Sequence, residues 1–315
     1  MRERAAAVAA AVLAAGIAAG AVAAVHGQRA VPVPRARSST VPATARRPAR
    51  AAGIITRNLA EFDAACSCSP GLTARYIRWG ESEASANLAY DIDLGAVPLV
   101  ELEPYGVSLT SVTDGAQDAY LSAFAKQVVR LGSEVIMSFA PEANNDTYPW
   151  GYEDVPAAVY VAAWRHVVSV FRENGAANVR WAWIMTADGH TAPLPPLFPG
   201  AAYVNYTGID GYATDPKTTF SGLFGATIRQ MRQLADVPVM ITETAADPEA
   251  GRRRWLSQVV AGVRAYRLAG FMWFDINQMN GKDPYAPQGN QHDWSIDGDP
   301  GSLAAFRATV RKPRG

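Results

Sequence analysis

Two acidic residues occupy positions where carboxylates can do chemistry. Glu142 follows the run VIMSFAP, and Glu243 sits at the end of VPVMIT. Both runs read as buried strands, so each carboxylate is expected at a strand exit. Aromatic residues crowd the same positions: Trp79, Tyr148, Trp150, Trp183, Tyr212 and Trp273 all fall at or just beyond a predicted strand end. One carboxylic acid to protonate a leaving oxygen, and one carboxylate to attack or to activate water, are what cleavage of a glycosidic bond requires. Sugar rings present apolar C–H faces that stack on aromatic side chains. A lone Glu in a predicted loop is by default a solvated surface residue; two at matching strand ends constitute a signal.

The elements that would position this pair recur along the chain. Eight short β-branched or aromatic runs are predicted as strands: 53–56, 75–79, 97–101, 135–139, 179–184, 206–210, 239–242 and 271–274. Helical stretches lie between them. Tyr120, Leu121, Phe124, Val128 and Leu131 have helical spacing between Asp114 and Gly132, and Tyr160, Trp164, Val167 and Phe171 follow Pro156. Trp255, Val259, Val263 and Tyr266 follow Asp247-Pro248, where Asp is expected to cap the helix and Pro to occupy its first turn. Repeated β-then-α order across residues 53–315 matches the roughly 250-residue (β/α)8 TIM barrel, which carries its reactive groups at the C-terminal ends of the strands. A doubly wound sheet is the alternative, and it loses because no GxGxxG or GxxxxGK[ST] follows a strand.

Composition narrows the partners. With 49% hydrophobic and 18% charged residues, the 315-residue chain can bury a large core. Its zero net charge hides an asymmetry: residues 1–50 hold eight Arg and one Glu, leaving 21 basic against 28 acidic residues beyond them, a net charge of −7. Nucleic acid is therefore not an expected partner of the folded part. Cys66 and Cys68 are the only cysteines, and no CxxC or Cys/His cluster offers a structural zinc site, so neither a metal nor another cofactor is expected. The two thiols could pair through tight local geometry, stay free or link to another chain.

The first 30 residues read as an export segment. Met1-Arg2-Glu3-Arg4 precedes an uncharged run of Ala, Val, Leu, Ile and Gly from Ala5 to Val25, the pattern of a signal peptide, and long enough to serve instead as an uncleaved membrane anchor. Residues 31–52 are rich in Pro, Arg, Ser and Thr without an apolar period and read as an extended linker. The expectation is a monomeric barrel domain, 53–315, secreted or held outside the cytoplasm, possible N-terminal membrane attachment included.

The runs AYLSAFAKQVVRLGSEVIMSFAPEANNDTYPWG, YVAAWRHVVSVFRENGAANVRWAW, YVNYTGIDGY and VPVMITET resemble glycoside hydrolase family 26, the β-mannanase and related endoglycanase family, over essentially all of residues 53–310. The resemblance implies a (β/α)8 barrel that hydrolyses β-glycosidic bonds in a polysaccharide or oligosaccharide with retention. It assigns the acid/base to Glu142 and the nucleophile to Glu243. Tyr212 matches the family's tyrosine near the nucleophile, and Tyr148-Pro149-Trp150-Gly151 matches its Tyr-Pro-Trp-Gly. Trp79, Asn144, Tyr148, Trp150, Tyr212 and Trp273 are the expected substrate-binding residues. The chain also departs from the family: Ser138 stands for an Arg, Pro141 for the His before the acid, and Ala143, Asn145 and Thr147 for Met, Gly and Trp. Chemistry is thus carried over further than mannan specificity. A glycan-binding or exopolysaccharide-assembly barrel with weak turnover is the alternative, motivated by Ser138, Pro141 and Thr147.

Other polar residues read as support. Glu101 and Glu103 in VELEP are expected to be structural. Asp210 in GIDGY and Asp275 in WFDIN are expected to orient Tyr212 or a neighbour by hydrogen bonding. Asp188, His190, His292 and Asp293 read as solvated loop residues.

Overall fold

A computed structural model describes residues 51–81, 84–187, 191–279 and 292–310. The expected leader and linker up to residue 50, and the loop residues Asp188 and His190, lie outside the described residues. Eight parallel strands close into a barrel in sequence order: β1 (Ala51–Thr56), β2 (Leu72–Arg78), β3 (Val97–Glu103), β4 (Val135–Phe139), β5 (Val179–Thr186), β6 (Tyr206–Asp210), β7 (Val239–Thr244) and β8 (Gly270–Asp275), with β8 pairing back onto β1. All eight predicted runs are strands, and the barrel rather than the doubly wound sheet is the fold. The first strand starts earlier than expected: Ala51 and Ala52, read as linker, pair with Gly270 and Phe271.

Strands covered on both faces have no solvent side, which is why they read as near-continuous apolar runs. Every residue of β4, β6 and β8 is buried. The helices α1 (Leu59–Cys66), α2 (Ala84–Asp93), α3 (Leu109–Thr113), α4 (Asp118–Arg130), α5 (Ala157–Glu173), α6 (Phe220–Leu234), α7 (Arg252–Ala265) and α8 (Pro300–Val310) follow the strands in chain order. Their apolar stripes turn inward: Leu121, Phe124 and Val128 on α4; Tyr160, Trp164, Val167 and Phe171 on α5; Phe220, Phe224, Ile228 and Met231 on α6; Trp255, Val259 and Val263 on α7. At about 25 cal/mol per Å² of apolar area, these stripes hold the helices against the barrel. One charged tie is buried as well: Asp91 of α2 accepts from Thr73 Oγ1 at 2.9 Å and Arg75 Nε at 2.8 Å, fastening α2 to β2.

Two expected helix starts fall elsewhere. The helix opened by Asp114 is split into α3 and α4, with Asp114 ending α3 and Gly115 turning the chain in a left-handed conformation. Helix α7 begins at Arg252 behind Gly251, with no side-chain cap; Asp247 turns its carboxylate to His292 Nδ1 instead, at 2.9 Å. Cys66 and Cys68 form a disulfide, which decides among the three thiol states left open by the sequence. Among the described residues no helix is long and apolar enough to cross a membrane.

Candidate active site

Glu142 lies on the loop after β4, and that loop is strained and tightly braced. Ala140 and Glu142 both have φ near +50°, a region costly for residues with a Cβ, by about 1–3 kcal/mol each. Hydrogen bonds force the geometry. Glu142 N donates to Ile184 O at 2.9 Å, and Asn145 N to Glu142 O at 2.8 Å. The Asn144 amide clamps Thr186 from both ends, donating to its carbonyl at 2.8 Å and accepting from its N–H at 3.0 Å. Trp150 Nε1 donates to Pro141 O at 2.7 Å. Gly151 completes the turn because a Cβ there would stand 2.2 Å from Asn145 O. The loop after β4 is thereby fixed to β5 with Glu142 half-buried at the barrel mouth.

Glu243 is inside β7 rather than beyond it. Ile209 pairs with Ile241 but Asp210 pairs with Glu243, so β7 carries an extra residue opposite β6, and such a bulge re-aims the side chains around it. Both carboxylate oxygens of Glu243 are held by phenols: Tyr76 of β2 donates to Oε1 and Tyr212, just past β6, donates to Oε2. The Tyr212 ring rests on Trp294 at 4.8 Å and meets Phe274 edge-on at 5.7 Å. Burial raises the Glu243 pKa, and the two phenols oppose that rise by favouring the anion. The same burial, with Glu243 beside them, pushes Tyr76 and Tyr212 well above ordinary phenols, so both remain donors. Tyr148 is pushed well above its usual value by burial, then by Glu142 and Glu243.

Below Glu243 lies a layer of further acids. Oxygens of Glu101, Asp210 and Glu243 lie within 4.8 Å of one another. Glu101 is 2% exposed and in register with Tyr76 on one side and Ser138 on the other. Its pKa is driven well up by burial, then by Glu243, Glu103 and Glu142. Asp210 is driven well up by burial and by Glu243, Glu101 and Glu142, against a hydrogen bond of 2.6 Å from Thr242 Oγ1. Glu103 is pushed to about 7 by burial, with Arg78 opposing. Three carboxylates this close have the donor chemistry of a hard-cation site, yet both Glu243 oxygens already accept phenolic protons.

The expected substrate-binding residues differ in burial and in partners. Trp150 is 2% exposed and stacks at 4.8 Å on Tyr148, and Trp273 is fully buried with its Nε1 on Trp294 O at 3.1 Å. Both rings are packed into the wall of the barrel. The buried Asn144 amide bonds Thr186 at both ends and so braces the loop. Trp79, Tyr148 and Tyr212 keep partial exposure, Trp79 packing on Tyr120 at 4.7 Å and donating to Gln117 at 3.1 Å. Asp210 takes its hydrogen bond from Thr242, and Asp275 takes one from Ile296 N at 2.6 Å. Tyr212 is oriented by Glu243 itself.

Sequence reading missed Tyr76 and Trp294. Tyr76 lies in a predicted strand, but only the register of β2 against β3 reveals that it faces inward with Glu101. Trp294 follows a polar stretch with no strand signal, and it stacks between Tyr212 and His292.

No family model matches the chain. Endoglucanase H of Acetivibrio thermocellus is 30% identical over 234 residues, covering 69% of this chain, which spans about a quarter (24%) of that protein's length. A Bacillus subtilis mannanase superposes with a TM-score of 0.61 at 15% identity, covering 82% of this chain and 85% of its own. A GH26 β-mannanase from Bacteroides ovatus gives 0.60 at 15%, covering 85% and 90%. The chain has the (β/α)8 barrel fold of these GH26 β-mannanase structures and is similar in sequence to an endoglucanase.

Proposed function

We propose that this chain is a retaining endo-β-glycanase acting on an extracellular polysaccharide. The observation that carries the reading is the grip of Tyr76 and Tyr212 on both oxygens of Glu243, at the same end of the barrel as the braced Glu142. Two donors aimed at one carboxylate favour its anion, the state a nucleophile needs. Glu142, on the loop after β4, is the acid/base. In the first step Glu243 attacks the anomeric carbon while Glu142 gives its proton to the departing glycosidic oxygen, leaving a covalent glycosyl ester. In the second, Glu142 takes a proton from water as that water attacks the same carbon and frees Glu243. Retention requires carboxyl groups about 5 to 5.5 Å apart, whereas an inverting pair stands about 6.5 to 9.5 Å apart.

The polymer is a β-glucan in preference to plain β-mannan. Pro141 and Ser138 remove the imidazole and guanidinium that the family resemblance expects around the acid, and the 30%-identical relative carries the name endoglucanase. Residues 1–30 support export from the cytoplasm. Reducing-end release should be measured with the purified protein on mixed-linkage β-glucan, soluble cellulose derivatives, xylan and β-mannan. Release from a glucan that disappears in Glu243→Ala is the expected result. Glycan binding without release from any polymer would favour the non-hydrolytic barrel, and a preference for mannan would overturn the assignment of the polymer.

A further inference from the structure

The acids beneath Glu243 pose a charge problem that the retaining mechanism does not use. Glu101, Asp210 and Glu243 bring oxygens within 4.8 Å of one another, and Glu101 and Asp210 are 2% and 1% exposed. Around Glu101 stand Tyr76 from β2, Glu103 from its own strand, Ser138 from β4, Glu142 from the loop after β4, Asp210 from β6 and Glu243 from β7. The charged groups that act on it, Glu243, Glu103 and Glu142, are all acids. Two buried anions beside a half-buried third are costly to keep all ionised, and a proton or a cation relieves that cost.

Hydrogen bonding decides where a proton sits. Glu243 accepts two phenolic protons, and Asp210 accepts the Thr242 hydroxyl at 2.6 Å; each of these bonds favours an anion. Glu101 has no such help, and its buried Oε1 has no hydrogen-bond partner among the described residues. We propose that Glu101 carries a proton at working pH and acts as a positioning residue, a neutral carboxyl beneath the site that leaves Glu243 as the charged group. Burial and the neighbouring acids push Glu101 well above the usual carboxylate range, in agreement with the geometry. A bound cation is the competing way to neutralise the trio, since each carboxylate oxygen has a second lone pair, and the EDTA and divalent-cation arms of the test separate the two.

This inference rests on the retaining reading for its catalytic meaning, but its test does not. Infrared spectra of the full, ligand-free chain at about pH 6.5, where ordinary carboxylic acids are ionised, should contain the C=O stretch of a protonated carboxyl. The Glu101 component of that band should persist in EDTA and in added Ca²⁺ or Mg²⁺, should be missing from Glu101→Gln, and should survive in Asp210→Asn, while Glu103, which titrates near 7, and the acid Glu142 supply the remainder. Titrating the band in the wild type requires no variant, and its absence above the ordinary carboxylate range would overturn the proposal. So would loss of the Glu101 component in Asp210→Asn alone, or its loss when divalent cation is added. A second readout is the pH dependence of inactivation by 2,4-dinitrophenyl 2-deoxy-2-fluoro-β-cellobioside, whose leaving group needs no proton. Glu101→Gln exchanges neutral for neutral, so the acid limb should stay where it is in the wild type; a shift to lower pH would mean that a negative charge had been removed and would refute the proposal. Failure of the wild type to be inactivated would count against the glycosidase reading, with the infrared comparison deciding Glu101 by itself.

Discussion

Removing the Tyr212 hydroxyl tests the geometry proposed for the nucleophile Glu243. In Tyr212→Phe the ring keeps its contacts with Trp294 and Phe274, so packing is preserved while Glu243 Oε2 loses its phenolic donor. A hydrogen bond to a charged group contributes about 1.5–3 kcal/mol. At 1.36 kcal/mol per pH unit, its loss should raise the Glu243 pKa by about one to two. The direction follows from what the phenol stabilises: it favours the anion, so without it the carboxylate protonates at higher pH. The acid limb of kcat/KM, measured on an aryl β-glycoside with a good leaving group, should therefore move to higher pH. On the acid side of the wild-type optimum this amounts to about a tenfold loss or more. Tyr76→Phe should act in the same direction through the other oxygen. A Tyr212→Phe limb that stays in place, or moves to lower pH, would refute the claim that the phenols set the charge of Glu243.

Trp150→Ala should destabilise the domain by about 3–5 kcal/mol in denaturant titrations, because a buried ring stacked on Tyr148 and bonded to Pro141 O is removed; unchanged stability with weaker oligosaccharide binding would return Trp150 to the sugar platform. Glu103 titrates near 7 in the folded protein against 4.5 ordinarily, so the folded state keeps a proton that the unfolded chain releases. Its contribution to stability is then lost as pH rises from about 4.5 to 7, by about 3 kcal/mol. Glu103→Gln should melt above the wild type at pH ~8 and with it at pH ~4.5; equal melting temperatures at both values would contradict the raised pKa.

The strands were legible in the sequence because parallel strands buried on both faces leave compact apolar runs, and Glu142 and Glu243 stand out as a pair because each follows or ends such a run. Orientation was not legible. Trp150, Trp273 and Tyr212 have the same sequence signature, an aromatic at a strand end, yet two are buried in the packing and one holds Glu243. What separates them is the register of neighbouring strands and the extra residue in β7, which depend on pairing across the barrel. The acid layer was hidden for the same reason: Glu101, Asp210 and Glu243 are more than 30 residues from one another in sequence and meet only on closure. The start of α7 was misread because Asp247-Pro248 has local capping chemistry, whereas the structure uses Asp247 for a long-range bond to His292.

The most direct test of the central claim is the configuration of the first product. Proton NMR of a β-glucan oligosaccharide during early turnover should show the β-anomer forming first and mutarotating later, with no product in Glu243→Ala. An α-anomer formed first, or near-wild-type turnover in Glu243→Ala, would contradict a covalent intermediate on Glu243.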